Sequence, residues 1–441
     1  MKWLSEIGVR TLFATLGGWV WLSGACRAQG LTNLGGDLST GLPGRHAIQA
    51  SAPNVTDEAR VQEQAAGFPL FHRTTNAKQG LGPAFINNSC AGCHVNNGKG
   101  FASFGSSARG GSSMVVKVKG RGLLPDRSAP PLAGLGEQIL DQRIGAPIKA
   151  SVRVNWREVT GRYPDGTLYK LRRPSVSFPT RLKPPRGATS SLRMSPALIG
   201  MGLLEAIHPD DIVELSDPTD RDRDGISGRI NWVADRVAGG KSIGRFGFKA
   251  THPSVTQQSA SALYHDMQIT NALFHEDDGK EEATLEEIHS LAIYLRLAGV
   301  PKARKQSNAT VKKGRQLFAS IGCEKCHTST FVTGIHSDPE LSSQTIHPFT
   351  DLLLHDMGAD LADGWVEFSG TGREWRTTPL WGLGFSNQLA AGKAIYLHDG
   401  RARSIEEAIL WHGGEATGTR DSFKKLSRSN RRALLEFLNS L

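Results

Sequence analysis

The sequence predicts a mainly α-helical fold, and three observations point to it. The first is a pentapeptide that occurs twice, Cys90-Ala91-Gly92-Cys93-His94 and Cys323-Glu324-Lys325-Cys326-His327. C-x-x-C-H attaches a c-type haem: two thiols on one helical turn reach both vinyl groups, and the adjacent imidazole turns to the iron as proximal ligand. The second is apolar residues at helical spacing, with Leu285, Ile288, Leu291 and Leu295 on one face of Thr284 to Leu297. The third is that strand-like patterning is confined to one stretch, Phe101 to Phe178, where Val115–Val118, Val152–Val154 and Thr167–Tyr169 alternate or are β-branched between Gly turns. Together these predict two tandem cytochrome c-like haem domains with a small strand-bearing insertion.

The elements follow in order. Residues 1–28 have the form of a secretory signal: Lys2 and Arg10 precede an apolar run from Thr11 to Ala25, and Ser23, Ala25 and Ala28 are small. The run is broken by Gly17 and Gly18 and is too short to favour a spanning helix. Periplasmic export is therefore expected; a lipid-anchored Cys26 is the weaker alternative, because Ser23 stands where an aliphatic residue is usual. Residues 29–60, rich in Gly, Ser and Ala, are expected to form a loosely packed arm. The N-terminal haem domain spans 61–298, with the insertion at about 101–180 and a further helix over Pro196 to Ile207. Gly299 to Asn308, with Pro301 and many charged or amide side chains, is the expected linker. The second haem domain spans 309–441. Phe85 and Phe318 each stand five residues before the first cysteine of their motif, so the two segments read as copies of one unit.

Four of the five cysteines lie in the two motifs, and the fifth, Cys26, falls in the signal. With cleavage after Ala28 every remaining thiol is committed to haem and none to a disulfide. A zinc or redox CxxC is the alternative for one such motif. Two of them in an exported chain favour two covalent haem c groups. The formal charge is +10; removal of residues 1–28 takes away three cations and one anion and leaves +8. Four haem propionates lower this further. No dense Lys/Arg tract suited to nucleic acid is present.

Seven stretches carry a family resemblance: Asn87–His94, Leu198–Ile207, Asp222–Asn231, Gly244–Ala250, Thr350–Gly358, Glu374–Gly384 and Leu397–Glu415. They resemble the dihaem oxidoreductase family of peroxidase-like proteins, also called thiol oxidoreductase-like. That family is related to bacterial dihaem cytochrome c peroxidases and to the enzyme that matures methylamine dehydrogenase. The resemblance spans nearly the whole mature chain.

An opposite ligand makes a haem an electron relay, whereas an open face beside a positioned acid permits peroxide chemistry. For the C-terminal haem the candidates are His355, Met357, His398 and His412. His398-Asp399-Gly400 resembles the family's HDG signature, and relatives place the distal ligand a little over three helical turns beyond it. That implies His412, where relatives use Met or Tyr; Met357 is the alternative. After His94 no histidine occurs until His208, and Met114 lies in an expected strand. The N-terminal iron is therefore expected to be open or weakly ligated. Gln258 to Met267 resembles the peroxidase stretch in which Gln is followed by an acid and Met. This implies Asp266 as the acid that moves a proton between the peroxide oxygens, with His265 assisting or ligating; the relatives' acid is Glu. Arg245 either polarises peroxide or pairs with a propionate. Trp375 and Trp381 are candidates to bridge the haems.

Asp220, Asp222 and Asp224, followed by Gly225, form the D-x-D-x-D-G start of a calcium loop, although Asn231 stands where an EF-hand has Glu. The functional expectation is a periplasmic peroxidase-like oxidoreductase. Its N-terminal haem would react with peroxide, and its C-terminal haem would relay electrons. A non-catalytic electron carrier, or an oxidase of thiols or protein side chains, is the alternative. The expected partners are a small redox protein or a quinol-linked donor or acceptor, with peroxide or another small oxidant.

Overall fold

Six helices start where a side chain takes up a free N–H of the first turn, a contribution of about 1 kcal/mol per cap. Asp57 caps α1 (Glu58–His72) and Ser254 caps α2 (Val255–Met267). Thr284 and Glu287 form a reciprocal capping box at α3 (Leu285–Arg296). Asn308, Ser404 and Ser427 cap α4 (Ala309–Ser320), α5 (Ile405–Trp411) and α6 (Arg428–Ser440). The computed structural model describes residues 31–101, 113–145, 152–277, 279–390 and 392–441, and Leu31–Leu441 forms one compact unit. The signal segment with Cys26, and parts of the insertion at 102–112 and 146–151, lie outside the described residues.

Two helix pairs are built alike, α1 on α3 and α4 on α6. Each pair crosses at a glycine. A Cβ on Gly67 would collide with the Ser290 carbonyl and stand 2.5 Å from Tyr294 Cβ. A Cβ on Gly314 would collide with the Ala433 carbonyl and stand 2.7 Å from Phe437 Cβ. Four residues beyond each glycine a phenylalanine fills the crossing. Phe71 lies 5.4 Å from the Tyr294 ring and Phe318 5.5 Å from the Phe437 ring. The same two phenylalanines face the motif histidines, Phe71 at 6.4 Å from His94 and Phe318 at 6.2 Å from His327. Phe85 is therefore not the counterpart of Phe318. It sits in a two-residue strand, Ala84–Phe85, paired with Gln142–Arg143.

The mainly α-helical expectation does not hold. The described residues are about 33% helix and 19% strand and form seven two-stranded sheets. The insertion supplies β1 (Met114–Lys119), β2 (Arg153–Arg162), β3 (Leu168–Ser177) and β4 (Thr189–Met194). β1 pairs antiparallel with β4, and β2 with β3 over ten residue pairs. Met114, Val116, Val118, Leu192 and Met194 close a small core of their own, which accounts for Met114 as a packing residue. Near the second motif β5 (Leu354–Asp356) pairs with β6 (Glu374–Arg376). Outside the insertion the strands are two or three residues long and carry no alternation to read.

Two smaller expectations change as well. Only Met201–Glu205 of the Pro196–Ile207 segment is helical, because Gly200 precedes it in the left-handed region at φ 63°. The arm is packed rather than loose. Leu34 and Leu38 are fully buried, and Ser39 and Thr40 pair with Val300 and Pro301 of the expected linker. Among the described residues no helix is long and apolar enough to cross a membrane.

Candidate haem sites

Both motif histidines are held the same way. His94 donates Nδ1–H to the Pro196 carbonyl at 2.8 Å, and His327 donates Nδ1–H to the Phe349 carbonyl at 2.8 Å. A carbonyl only accepts, so the proton is fixed on Nδ1 and the lone pair is left on Nε2, the tautomer a metal ligand needs. Burial, against the pull of these carbonyls, lowers both rings to about 4, so both are neutral at physiological pH. The thiols are set by local turns. Ser89 caps Cys90–Cys93 by accepting from Gly92 N at 3.0 Å, and the His94 and His327 amides close onto the Cys90 and Cys323 carbonyls at 2.8 and 3.0 Å.

The second motif opens on a cavity whose wall includes Cys323, Cys326, His327, Met357, His398 and His412. His412 ends α5 and gives its Nδ1–H to the Ala408 carbonyl at 2.7 Å, so its Nε2 is free in the same way as that of His327. Burial lowers its pKa, and its charge acts on His327, which makes the two imidazoles electrostatic neighbours. His398 instead stacks on Trp375, with ring centroids 3.5 Å apart, and lies 3.5 Å from Asp399. His355 has no lone pair to give, since Nε2 lies 2.8 Å from Asp351 and Nδ1 2.7 Å from Glu415. Burial alone would lower His355, but Asp351, Cys326 and Glu415 raise it well above the ordinary range. His412 and Met357 thus remain as groups able to face His327.

Around the first motif the structure brings Asp266 close. Its backbone carbonyl accepts from Ile86 N at 2.8 Å, and its charge acts on both Cys90 and Cys93. Burial raises the Asp266 carboxyl above the usual carboxylate range, against a hydrogen bond from Gln138 and the charge of Lys117. Gln138 Nε2 donates to Asp266 Oδ1 at 2.8 Å and also to the His265 carbonyl. No motif announces Gln138; it meets Asp266 only through folding, across 128 positions. His265 lies 3.7 Å from Glu137 and edge-on to Phe274, and burial lowers it to about 3. Arg245 stands elsewhere. It is buried, donates to the Leu204 carbonyl at 3.0 Å, and no contact joins it to Asp266 or His265 among the described residues.

The expected calcium loop does gather its carboxylates. One oxygen from each of Asp220, Asp222 and Asp224 lies within 4.8 Å of the others, while Lys325 of the second motif reaches Asp224 at 2.9 Å. Asn231 does not close the loop. It is buried, donating to the Lys249 carbonyl and accepting from Ser369 N, both at 2.8 Å. Of the two tryptophans, Trp375 lies under Lys249 and Arg193, at 4.2 and 4.7 Å. Trp381 has its indole N–H on the Ile199 carbonyl at 3.0 Å, three residues from the Pro196 that holds His94.

Paired thiols and Nδ1-anchored histidines at both motifs, with a mainly apolar cavity at the second, fit haem. No curated protein and no solved structure matches the chain. A family model described as di-haem oxidoreductase, putative peroxidase, matches residues 141–286 and 275–441, well over half of the length, and the chain belongs to that family.

Proposed function

We propose that the chain is a periplasmic c-type cytochrome of the peroxidase type. In this reading Cys90 and Cys93 hold one haem by thioether bonds with His94 as proximal ligand, and Cys323, Cys326 and His327 hold the other. When bound, haem supplies at each motif an iron that accepts and donates electrons. The basic leader followed by an apolar run supports export. His412, with its ring nitrogen freed by the Ala408 carbonyl, supports a bis-histidine relay at the C-terminal motif. Asp220, Asp222 and Asp224 would take calcium in exchange for the Lys325 ammonium.

One observation carries the catalytic assignment: a half-buried carboxyl with raised pKa stands at the first motif, clamped by Gln138. A group that protonates more readily than an ordinary carboxylate can take the proton of the near peroxide oxygen and return it to the far one. Gln138 holds one carboxyl oxygen, so the other is the one that moves the proton. Reduction of peroxide to two waters then consumes two electrons and two protons.

Asp266→Asn should keep both haems and the fold, yet slow the peroxide-driven step by roughly 10²–10⁴-fold, the usual size of a lost general acid–base group. Stopped-flow mixing of reduced protein with peroxide reads the step. An unaltered rate removes Asp266 from the mechanism, and a wild type inert to peroxide favours the electron carrier.

A further inference from the structure

The hairpin β2–β3 carries a face that neither haem site uses. Arg153, Asn155 and Arg157 alternate along one side of β2, with Ser177, Ser175 and Arg173 opposite them in register. All but Arg173 are exposed. Arg157 stands directly across from Arg173, a like-charge pair that costs stability in a sheet. Arg173 pairs with Asp360 at 2.5 Å, but among the described residues no ion pair reaches Arg153 or Arg157. The opposite face, with Val154, Trp156 and Val176, packs on the insertion's own core. Further along the same side Val159, Leu171 and Tyr169 pack on the main core, so what this side exposes is its Arg153–Arg157 end, with guanidinium and small polar groups.

Beside this face lies the second cavity. The hairpin is fastened to the segment after His398, because Arg172 donates to the Gly400 and Arg401 carbonyls at 2.8 and 3.1 Å. The Arg173 guanidinium lies 5.4 Å over the Trp411 ring, which Arg401 also covers at 4.7 Å. Trp411 is buried, its indole N–H has no partner among the described residues, and the next residue, His412, lines the cavity. Trp411 thus joins Arg173, the cross-strand neighbour of Arg157, to a residue that lines the cavity.

We propose that this arginine face docks a small acidic redox protein, which passes one electron through Trp411 and His412 to the C-terminal haem; the route rests on that haem being the relay. The carrier's copper or haem centre loses one electron and the receiving iron goes from ferric to ferrous, with no bond made or broken. Complementary charge of this kind sets encounter rate and salt dependence more than final affinity, which suits a partner that must leave after each transfer.

The test uses the dihaem protein carrying both Arg153→Glu and Arg157→Glu. A control carries Lys312→Glu and Lys313→Glu, the same charge change on α4. Reduction is followed with two monohaem cytochromes c of opposite net charge and with an uncharged quinol. At low ionic strength the acidic cytochrome should reduce the hairpin variant at least about ten-fold more slowly than wild type, and the gap should close as salt rises. The control, the basic cytochrome and the quinol should show no such loss, and calorimetric titration should show the acidic cytochrome binding the variant more weakly. Equal rates and affinities for the variant and wild type would overturn the proposal, as would an equal loss in the control. Phosphatidylglycerol vesicles bound by wild type but not by the variant, with the acidic cytochrome unaffected, would overturn it in favour of a membrane contact. Failure of the relay assignment is distinguishable: the N-terminal haem would then be reduced first in wild type, which overturns the electron route even where the affinity loss is seen.

Discussion

His355→Gln tests what holds the second site together. His355 lies in β5, 2% exposed, with Asp351 and Glu415 on its two ring nitrogens and Cys326 Sγ 3.6 Å from Nδ1. Burial works against its charge, but the carboxylates and the sulfur win and raise its pKa well above 6.5. Glutamine keeps one hydrogen bond and removes the cation, leaving two buried carboxylates to face each other. Removing one partner of a buried ion pair costs about 3–5 kcal/mol. The sign with pH follows from linkage. A pKa raised on folding gives its full stabilisation below the unfolded value of about 6.5, and that stabilisation is lost as pH rises through the folded value. Glu415 is depressed, by His355 and Ser227 against its burial, so its own contribution is present above the unfolded carboxylate value of about 4.3. Both contributions are therefore present near pH 6. Thermal unfolding followed by far-UV circular dichroism should show the widest gap between wild type and variant there, narrowing as pH rises through the raised His355 pKa. Equal stability at pH 6, or a gap that widens with pH, refutes the charged triad.

Cys90→Ala with Cys93→Ala, or Cys323→Ala with Cys326→Ala, should each remove one covalent haem of two; a mass spectrum of exported protein still carrying both ends the c-type reading. His412→Ala should move the C-terminal haem from low spin toward high spin in the electron paramagnetic resonance spectrum and leave the N-terminal signal in place. If Met357→Ala does so instead, Met357 is the ligand. Gly314→Ala drives a methyl into the Ala433 carbonyl and should cost about 1–3 kcal/mol by overpacking. Gly418→Ala, whose Cβ meets nothing within 4 Å, should instead stabilise its helix by up to about 1 kcal/mol; equal denaturant midpoints for the two variants would contradict the tight crossing.

Much of the site was legible because it is written in short, contiguous segments. Both C-x-x-C-H motifs and the amphipathic helix opening at Thr284 could be read directly from the residues, whereas Asp266 came from the family resemblance. The fold class was not, because the sheets outside the insertion are pairs of two- or three-residue strands, such as Leu354–Asp356 against Glu374–Arg376. The internal repeat was visible but aligned on the wrong phenylalanine. Counting back from the cysteine selected Phe85, whereas the folded repeat is Gly-x-x-x-Phe, Gly67 to Phe71 and Gly314 to Phe318. That signal was available in the sequence, displaced at the first motif by the longer stretch between helix and cysteine. Gln138 and the Pro196 and Phe349 carbonyls left no signal, since a side-chain amide or a backbone oxygen acquires its role only from what the fold sets against it.

The two sites share a frame and differ in what is added to it. Each has a helix pair crossed at glycine, a phenylalanine over the motif histidine, and an imidazole anchored through Nδ1 to a backbone carbonyl. Nothing in that frame distinguishes one iron site from the other. The difference comes from two elements outside the repeat. Gln138 of the insertion fixes a carboxyl beside the first motif, while α5 ends by pointing a neutral histidine into the cavity of the second. A carboxyl with raised pKa is a proton donor and a poor ligand, whereas an imidazole with a free Nε2 is a good ligand. On the reading proposed above, the division of labour between the haems therefore rests on Gln138, Asp266 and His412 rather than on the motifs themselves. Exchanging the motifs' intervening residues, Ala91-Gly92 for Glu324-Lys325, should accordingly leave each haem's spin state where it is.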